Sequence, residues 1–388
     1  MKIRLAYLAF GMYFLTGIIC MMVGAEMSGL VSLYARPVES VVLIGSAFAI
    51  GRTLSAYLIG KAAERYGPMK VLFAGTLCVL LYMIGLVINN RFLLAFLLAF
   101  AGGIGMSVQD TVCPLLLSRV YPLRYSSALS AGQAMYGVGG FAIAFLTGFS
   151  QERGLPLYFG NVILSVIGLS ILIIVPTVAW NGNDRSLPEE KIEPYYSRNQ
   201  KLCLIILGIS CLIYCAICNC LASYMTSYIE ALGFPAKDAA NILTVYNLFS
   251  FGGSIAFIFI LEKVREKTVL LLNSAIVALL LMAALIIGKI QYYYLTMAVS
   301  GFLTGVLFSI VIALATRIYH EKIVLASALI ASTGSVGDIL APVISSLMIR
   351  RYGITAIFNC VEVLLIILSV LALVIHYLIK EEFNGDSK

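Results

Sequence analysis

ERYGPMKVL, residues 64–72, returns 198 residues later as EKVREKTVL, residues 262–270, keeping Glu64 over Glu262, Arg65 over Lys263, and Val71 and Leu72 over Val269 and Leu270. SRVYP at 118–122 meets TRIYH at 316–320 at the same offset, and SALSAGQAMYG at 127–137 meets SALIASTGSVG at 327–337 at an offset of 200. Self-similarity at one long period means that the chain is two copies of one structural unit.

Composition identifies the solvent of that unit. With 61% hydrophobic and 12% charged residues and a mean hydropathy of +1.00, the chain lies far outside the soluble globular range. Windows of about 20 apolar residues, enough for a helix to cross roughly 30 Å of hydrocarbon, fall near 5–27, 38–60, 70–88, 91–117, 127–149 and 156–179. Six more fall near 201–222, 237–261, 268–288, 291–315, 324–347 and 354–379. The segments are too long and too continuously apolar for barrel strands. The expectation is an all-α membrane protein: twelve transmembrane helices in two six-helix bundles, a parallel 6+6 repeat around a central cavity. Residues 1–179 form the first bundle, 180–200 a polar linker and 201–388 the second bundle with a short tail. An even number of spans per half gives both the same orientation, an architecture that suits alternating access.

The basic start and apolar run of MKIRLAYLAFGMYFL resemble a signal peptide, but the run continues past Cys20 with no small-residue cleavage site, so it reads as the first span. With that end inside, 18 of the 26 Lys and Arg residues fall on the cytoplasmic side, 7 fall outside and Arg52 lies within a span. This excess predicts a multi-pass plasma-membrane protein with both termini cytoplasmic, and the net charge of +7 reflects insertion and an anionic inner leaflet rather than nucleic-acid binding. All nine cysteines lie in or beside spans, so no disulfide framework is expected. CAICNC at 215–220 reads as small polarizable packing residues rather than a metal site, because no His or clustered carboxylate completes it. Trp180 reads as an interfacial anchor.

GKAAERYGPMK at 60–70 resembles the G-x-x-x-D-R-x-G-R-(R/K) signature of the major facilitator superfamily, with Gly60, Arg65, Gly67 and Lys70 in place or within a residue of it. Glu64 replaces the expected Asp and Pro68 the expected Arg. The resemblance implies a gating loop on the cytoplasmic side, in which Gly60 lets helices approach, Gly67 turns the chain and the charges latch helix ends. Span five reads GQAMYGVGG at 132–140, without the Pro that drug and proton antiporters of that superfamily carry there; its glycines allow close helix packing. GIGMSVQDTVCP at 103–114 is similar to the G-x-G-x-x-E-T-x-x-N-P element of fucose:proton symporters, with Asp110 and Thr111 where Glu and Thr stand and Cys113 in place of Asn. Those symporters also carry an acid about 20 residues into span one, as Glu26 is here.

Charges at membrane depth cost several kcal/mol unless they face a partner or water, so they are functional candidates by default. They are Glu26, Arg52, Asp110 and Asp338, with Glu362 the weakest. Ser107, Asp110, Thr111 and Pro114 share one face of span four by helical spacing, and Pro114 frees a carbonyl one turn earlier. The functional reading places Glu26 and Asp110 on the cavity wall and has one of them titrate, with a nearby cation such as Arg52 and access to water controlling the proton. The alternative is a buried structural ion pair, for example Arg52 with Asp338. Gln133 and Tyr136 on span five, Tyr214 and Asn219 on span seven, and Asn241, Thr244 and Asn247 on span eight extend the candidate lining with amides and phenols suited to a hydroxylated solute.

No zinc-protease, nucleophile-elbow or phosphate-loop motif is present, and the two His residues, His320 and His376, sit near helix ends. An ion gradient must therefore drive transport. The expectation is a monomeric secondary transporter that binds a small solute and a proton, needs no cofactor or metal, and takes up a sugar-like compound. Proton-driven efflux of drug-like or cationic compounds is the alternative, and a non-transporting receptor ranks below both.

Overall fold

A computed structural model describes residues 2–178 and 198–383. These form fourteen α-helices and no β-strand among the described residues. In chain order they are α1 (Lys2–Ala25), α2 (Met27–Tyr34), α3 (Val38–Tyr66), α4 (Pro68–Ile88), α5 (Phe92–Val120), α6 (Tyr125–Glu152) and α7 (Phe159–Ile174). The second half supplies α8 (Arg198–Ala231), α9 (Ala236–Ile260), α10 (Glu266–Ile287), α11 (Ile290–Thr304), α12 (Leu307–Ile318), α13 (Ile323–Tyr352) and α14 (Thr355–Phe383). Twelve segments are long and apolar enough to cross a membrane. Fourteen helices make twelve spans because α2 prolongs the first span past a break at Glu26, and α11 with α12 forms a broken tenth span.

The chain divides into two compact units. The first runs through Tyr125, resumes from Gly132 to the end of the sixth span, and includes Lys322–Ser332; the second holds Ser126–Ala131, the helices from α8 to α12, and the chain from Thr333. The expected linker, 180–200, lies almost wholly outside the described residues, as do Trp180 and the last five residues of the tail.

Helix ends follow local chemistry. Gly67 adopts φ 89°, a conformation open to residues without a Cβ, and its N–H bonds the carbonyl of Ala63 as α3 closes. Pro68 then occupies the first position of α4, where its missing N–H costs nothing and its fixed φ suits a helix. This local geometry accommodates Pro68 where the superfamily signature has Arg. The extended seventh span, which continues to Ala231, lies beyond the expected boundary at 222 because YMTSYIE (224–230), although polar, still continues the helix without Gly or Pro.

Within each unit the helices meet through small residues, as expected where lipid provides no hydrophobic drive for helix association. A Cβ on Gly51 would lie 2.2 Å from the carbonyl oxygen of Phe100, and one on Gly103 would lie 2.1 Å from that of Phe48, so α3 and α5 touch backbone to backbone. The second unit repeats the device: a Cβ on Gly253 would lie 2.1 Å from the Phe302 oxygen and one on Gly301 would lie 2.3 Å from the Tyr246 oxygen, joining α9 to α11. Gly103 and Gly301 are themselves 198 residues apart, so the repeat legible in the loops extends to close backbone contacts inside the spans. Gly139, in the quoted span-five stretch, has the same role against the Phe14 oxygen of α1, at 2.0 Å.

Adjacent glycines provide a test. A Cβ on Gly252 would meet nothing within 4 Å, whereas Gly253 faces the Phe302 carbonyl. Gly253→Ala should lower thermal stability in detergent by an amount at or above the roughly 1–3 kcal/mol typical of overpacking, while Gly252→Ala should be neutral or mildly stabilising. Equal melting temperatures for the two variants would contradict the backbone contact.

Candidate functional site

In the first unit the close approach of α3 and α5 brings together the residues singled out on span four. Arg52, on α3, donates through Nε to Asp110 Oδ2 at 3.0 Å, and its Nη2 lies 2.9 Å from the same oxygen. Asp110 is 1% exposed, and its second oxygen, Oδ1, has no hydrogen-bond partner. Ser107, fully buried one turn before Asp110, donates to the backbone oxygen of Arg52 at 2.7 Å and accepts from Ser55 at 2.9 Å. Thr111 returns its hydroxyl to the Ser107 carbonyl at 2.6 Å. The polar face of α5 is thus a buried seam against α3, and of the residues expected to line a cavity, Ser107 is instead sealed within the first unit. Helix α5 remains continuous through Pro114.

Next to Asp110 on α5, Gln109 accepts at Oε1 from Thr16 of α1 at 3.0 Å, while its buried Nε2 has no partner. Gln109 was not among the sequence candidates. On α6, Gln133 and Tyr136 are half-buried, and Tyr136 faces Cys20, Arg52 and Asp110. Among the candidates of this unit, Arg52, Asp110, Ser107 and Tyr136 therefore form one cluster.

Glu26 sits elsewhere. It lies at the α1–α2 break, fully buried, and accepts from Asn161 Nδ2 of α7 at 2.6 Å. Asn161 was missed in sequence; its only signal was an amide one turn inside the apolar run of span six.

In the second unit the polar groups gather at the break between α11 and α12. A helix break strands carbonyls, and in hydrocarbon each needs a partner from within the protein. The Leu303 oxygen accepts from Asn273 of α10 at 2.8 Å, the Thr304 oxygen from Tyr214 of α8 at 2.9 Å, and the Gly305 oxygen from Ser254 of α9 at 3.4 Å. Cys218, a turn from Tyr214, faces Tyr214, Tyr246, Thr304 and the half-buried Asp338 of α13. Tyr214 and Asp338 thus belong to one polar cluster, which also includes Cys218, Tyr246 and Thr304. Asn219 is half-buried with Oδ1 unpartnered. Asn241, Thr244 and Asn247 lie exposed on α9. Glu362 on α14 is 8% exposed with both oxygens unpartnered. Among the described residues no cysteine is joined in a disulfide.

The loop between α3 and α4 carries exposed Glu64, Arg65 and Lys70 around Gly67, while Gly60 is buried, a Cβ there coming 2.9 Å from that of Ala328. Its repeat at the start of α10 places a carboxylate at a second ion pair: Glu266 accepts from Arg317 of α12 at 2.6 Å and is also hydrogen-bonded by Ser126. Arg317 is the repeat counterpart of Arg119.

The Arg52–Asp110 geometry has a direct energetic consequence, because removing one partner of a buried ion pair strands the other charge at a cost of about 3–5 kcal/mol, whereas an apolar pair of similar volume is near neutral. Arg52→Met and Asp110→Leu should each lower thermal stability by that order, and the double variant should regain most of it. Additive losses in this cycle would show that the two side chains do not depend on one another.

A family model described as Major Facilitator Superfamily matches residues 8–299. An uncharacterized MFS-type transporter of Bacillus subtilis, YfkL, is 22% identical over 358 residues, covering 89% of each chain. Among solved structures, the Escherichia coli fucose:proton symporter FucP superposes with a TM-score of 0.78 at 13% identity, covering 95% of this chain and 98% of its own. The proton:xylose symporter XylE superposes with a TM-score of 0.71 at 13% identity, covering 95% and 94%.

Proposed function

The chain belongs to the Major Facilitator Superfamily, and we propose that it is a proton-coupled secondary transporter that takes up a small, sugar-like polar solute by alternating access, as a monomer in the plasma membrane with both termini cytoplasmic. The observation that carries this reading is the Arg52–Asp110 pair: a carboxylate 1% exposed, bound through one oxygen to a guanidinium and unpartnered at the other. Such a pair has two chemical states. With Asp110 ionised, Arg52 is held against α5. A proton arriving on Oδ1 cancels the charge, weakens the pair and releases Arg52 to other acceptors, so proton occupancy and the arrangement of α3 against α5 become linked.

The solute class rests on the neutral polar inventory. Gln133, Tyr136, Tyr214, Asn219, Asn241, Thr244 and Asn247 supply amides, phenols and a hydroxyl, groups that pair with sugar hydroxyls. The likeness in fold to the fucose:proton and proton:xylose symporters supports the same class. Glu64, Arg65 and Lys70, around Gly60 and Gly67, are proposed as the gating loop, and Asp338 as a polar contact of the second unit.

Purified protein in liposomes tests this reading. An inward proton gradient should drive accumulation of one or more members of a panel of radiolabelled pentoses and hexoses. Asp110→Asn, which cannot ionise, should abolish gradient-driven accumulation while retaining most of the equilibrium counterflow exchange. Gradient-driven movement of cationic dyes in the opposite direction, with no sugar response, would replace uptake by efflux.

A further inference from the structure

Glu26 meets an amide rather than a cation, and the accounting of its atoms is incomplete in a specific way. Its backbone is satisfied across the α1–α2 break: the N–H bonds the Met22 oxygen and the carbonyl accepts from the Leu30 N–H, both at 2.9 Å. Its side chain accepts at Oε1 from Asn161 Nδ2 at 2.6 Å. Two atoms of the same pair are left over, Glu26 Oε2 and Asn161 Oδ1, both buried and unpartnered. Both are acceptors when the acid is ionised. Among the described residues, the titratable groups that face Glu26 are phenols, Tyr34 of α2 and Tyr82 of α4, and the Tyr34 hydroxyl donates to the Leu86 oxygen at 2.5 Å. Among the described residues no Lys, Arg or His forms a salt bridge with Glu26. An ionised Glu26 would therefore be a fully buried charge with a single donor, an arrangement that costs several kcal/mol.

We propose that Glu26 and Asn161 together form a proton-binding site, in which the proton resides on Oε2 and Asn161 is the positioning residue that holds it. One proton added to the carboxylate turns Oε2 into a donor, and Asn161 Oδ1 is the acceptor left vacant on the partner already bonded to Oε1. The pair then closes as a ring of two parallel hydrogen bonds, N–H to carbonyl and O–H to carbonyl, with no charge and no orphaned atom. The site lies where the first span breaks and joins that break to α7, so loss of the proton would strand a charge at the joint between α1 and α2. This inference rests on the proton-coupled reading above and adds Asn161, an element that reading lacks.

Infrared spectroscopy of the protein in lipid tests the site without solute or gradient. At neutral pH, wild type minus Glu26→Gln should show the carbonyl band of a protonated carboxyl group. Asn161→Leu should move that band to higher frequency as its hydrogen bonds are lost, and Asn161→Ala gives the same reading if the leucine variant does not fold. Glu26→Gln, whose amide can form the same ring with Asn161, should fold with a melting temperature within a few degrees of wild type. Absence of the band, or a band indifferent to both Asn161 substitutions, would overturn the site. Because no transport is measured, a positive band alongside sugar accumulation that ignores the proton gradient would sink the transport reading alone.

Discussion

In hydrocarbon a polar atom has only the protein to bond with, and this constraint shapes both units. Short hydroxyl side chains can reach a neighbouring helix only if backbones nearly touch, and the glycines at α3–α5 and α9–α11 permit that approach. Ser107 reaches the Arg52 carbonyl and Ser254 the Gly305 carbonyl because of it. The same proximity sets Arg52 against Asp110, so the ion pair is a product of helix packing as much as of charge. Without Gly51 and Gly103 the two helices would stand further apart and the pair would lose its geometry.

The constraint also explains why the polar content of the spans clusters. An isolated buried carboxyl is costly, and at three acids the structure answers the cost in different ways: a guanidinium for Asp110, an amide for Glu26, an arginine and a hydroxyl for Glu266. Each answer ties helices that are not consecutive in sequence, since α3 meets α5, α1 meets α7 and α10 meets α12. Chemistry and architecture are joined at those three points.

Much of this was legible in the sequence. Hydropathy located twelve spans, and the offset of 198 residues revealed the repeat because loops and glycine contacts are held to a common pattern. Arg52 stood out as a cation beside one of the buried acids, but which of Glu26, Asp110 and Asp338 it meets did not, because spacing within one helix says nothing about which face of another it meets. Asn161 was passed over because a neutral amide in FGNVIL carries little hydropathy signal. The break after Thr304 was invisible for a related reason: GFLTGVLF reads as one apolar window, without a Pro to mark it. Arg317 registered only as one of the cytoplasmic basic residues and Glu266 not at all, since at the end of a span topology and ion pairing use the same residue types.

The fractured tenth span has one more consequence. Its three stranded oxygens are fastened by side chains from α10, α8 and α9, so the bend works like a knuckle with three separate tendons. No flexing of α12 against α11 can go unnoticed by those neighbours, because each would have to stretch or let go. A small rotation at one residue pair is thereby broadcast to three transmembrane rods at once.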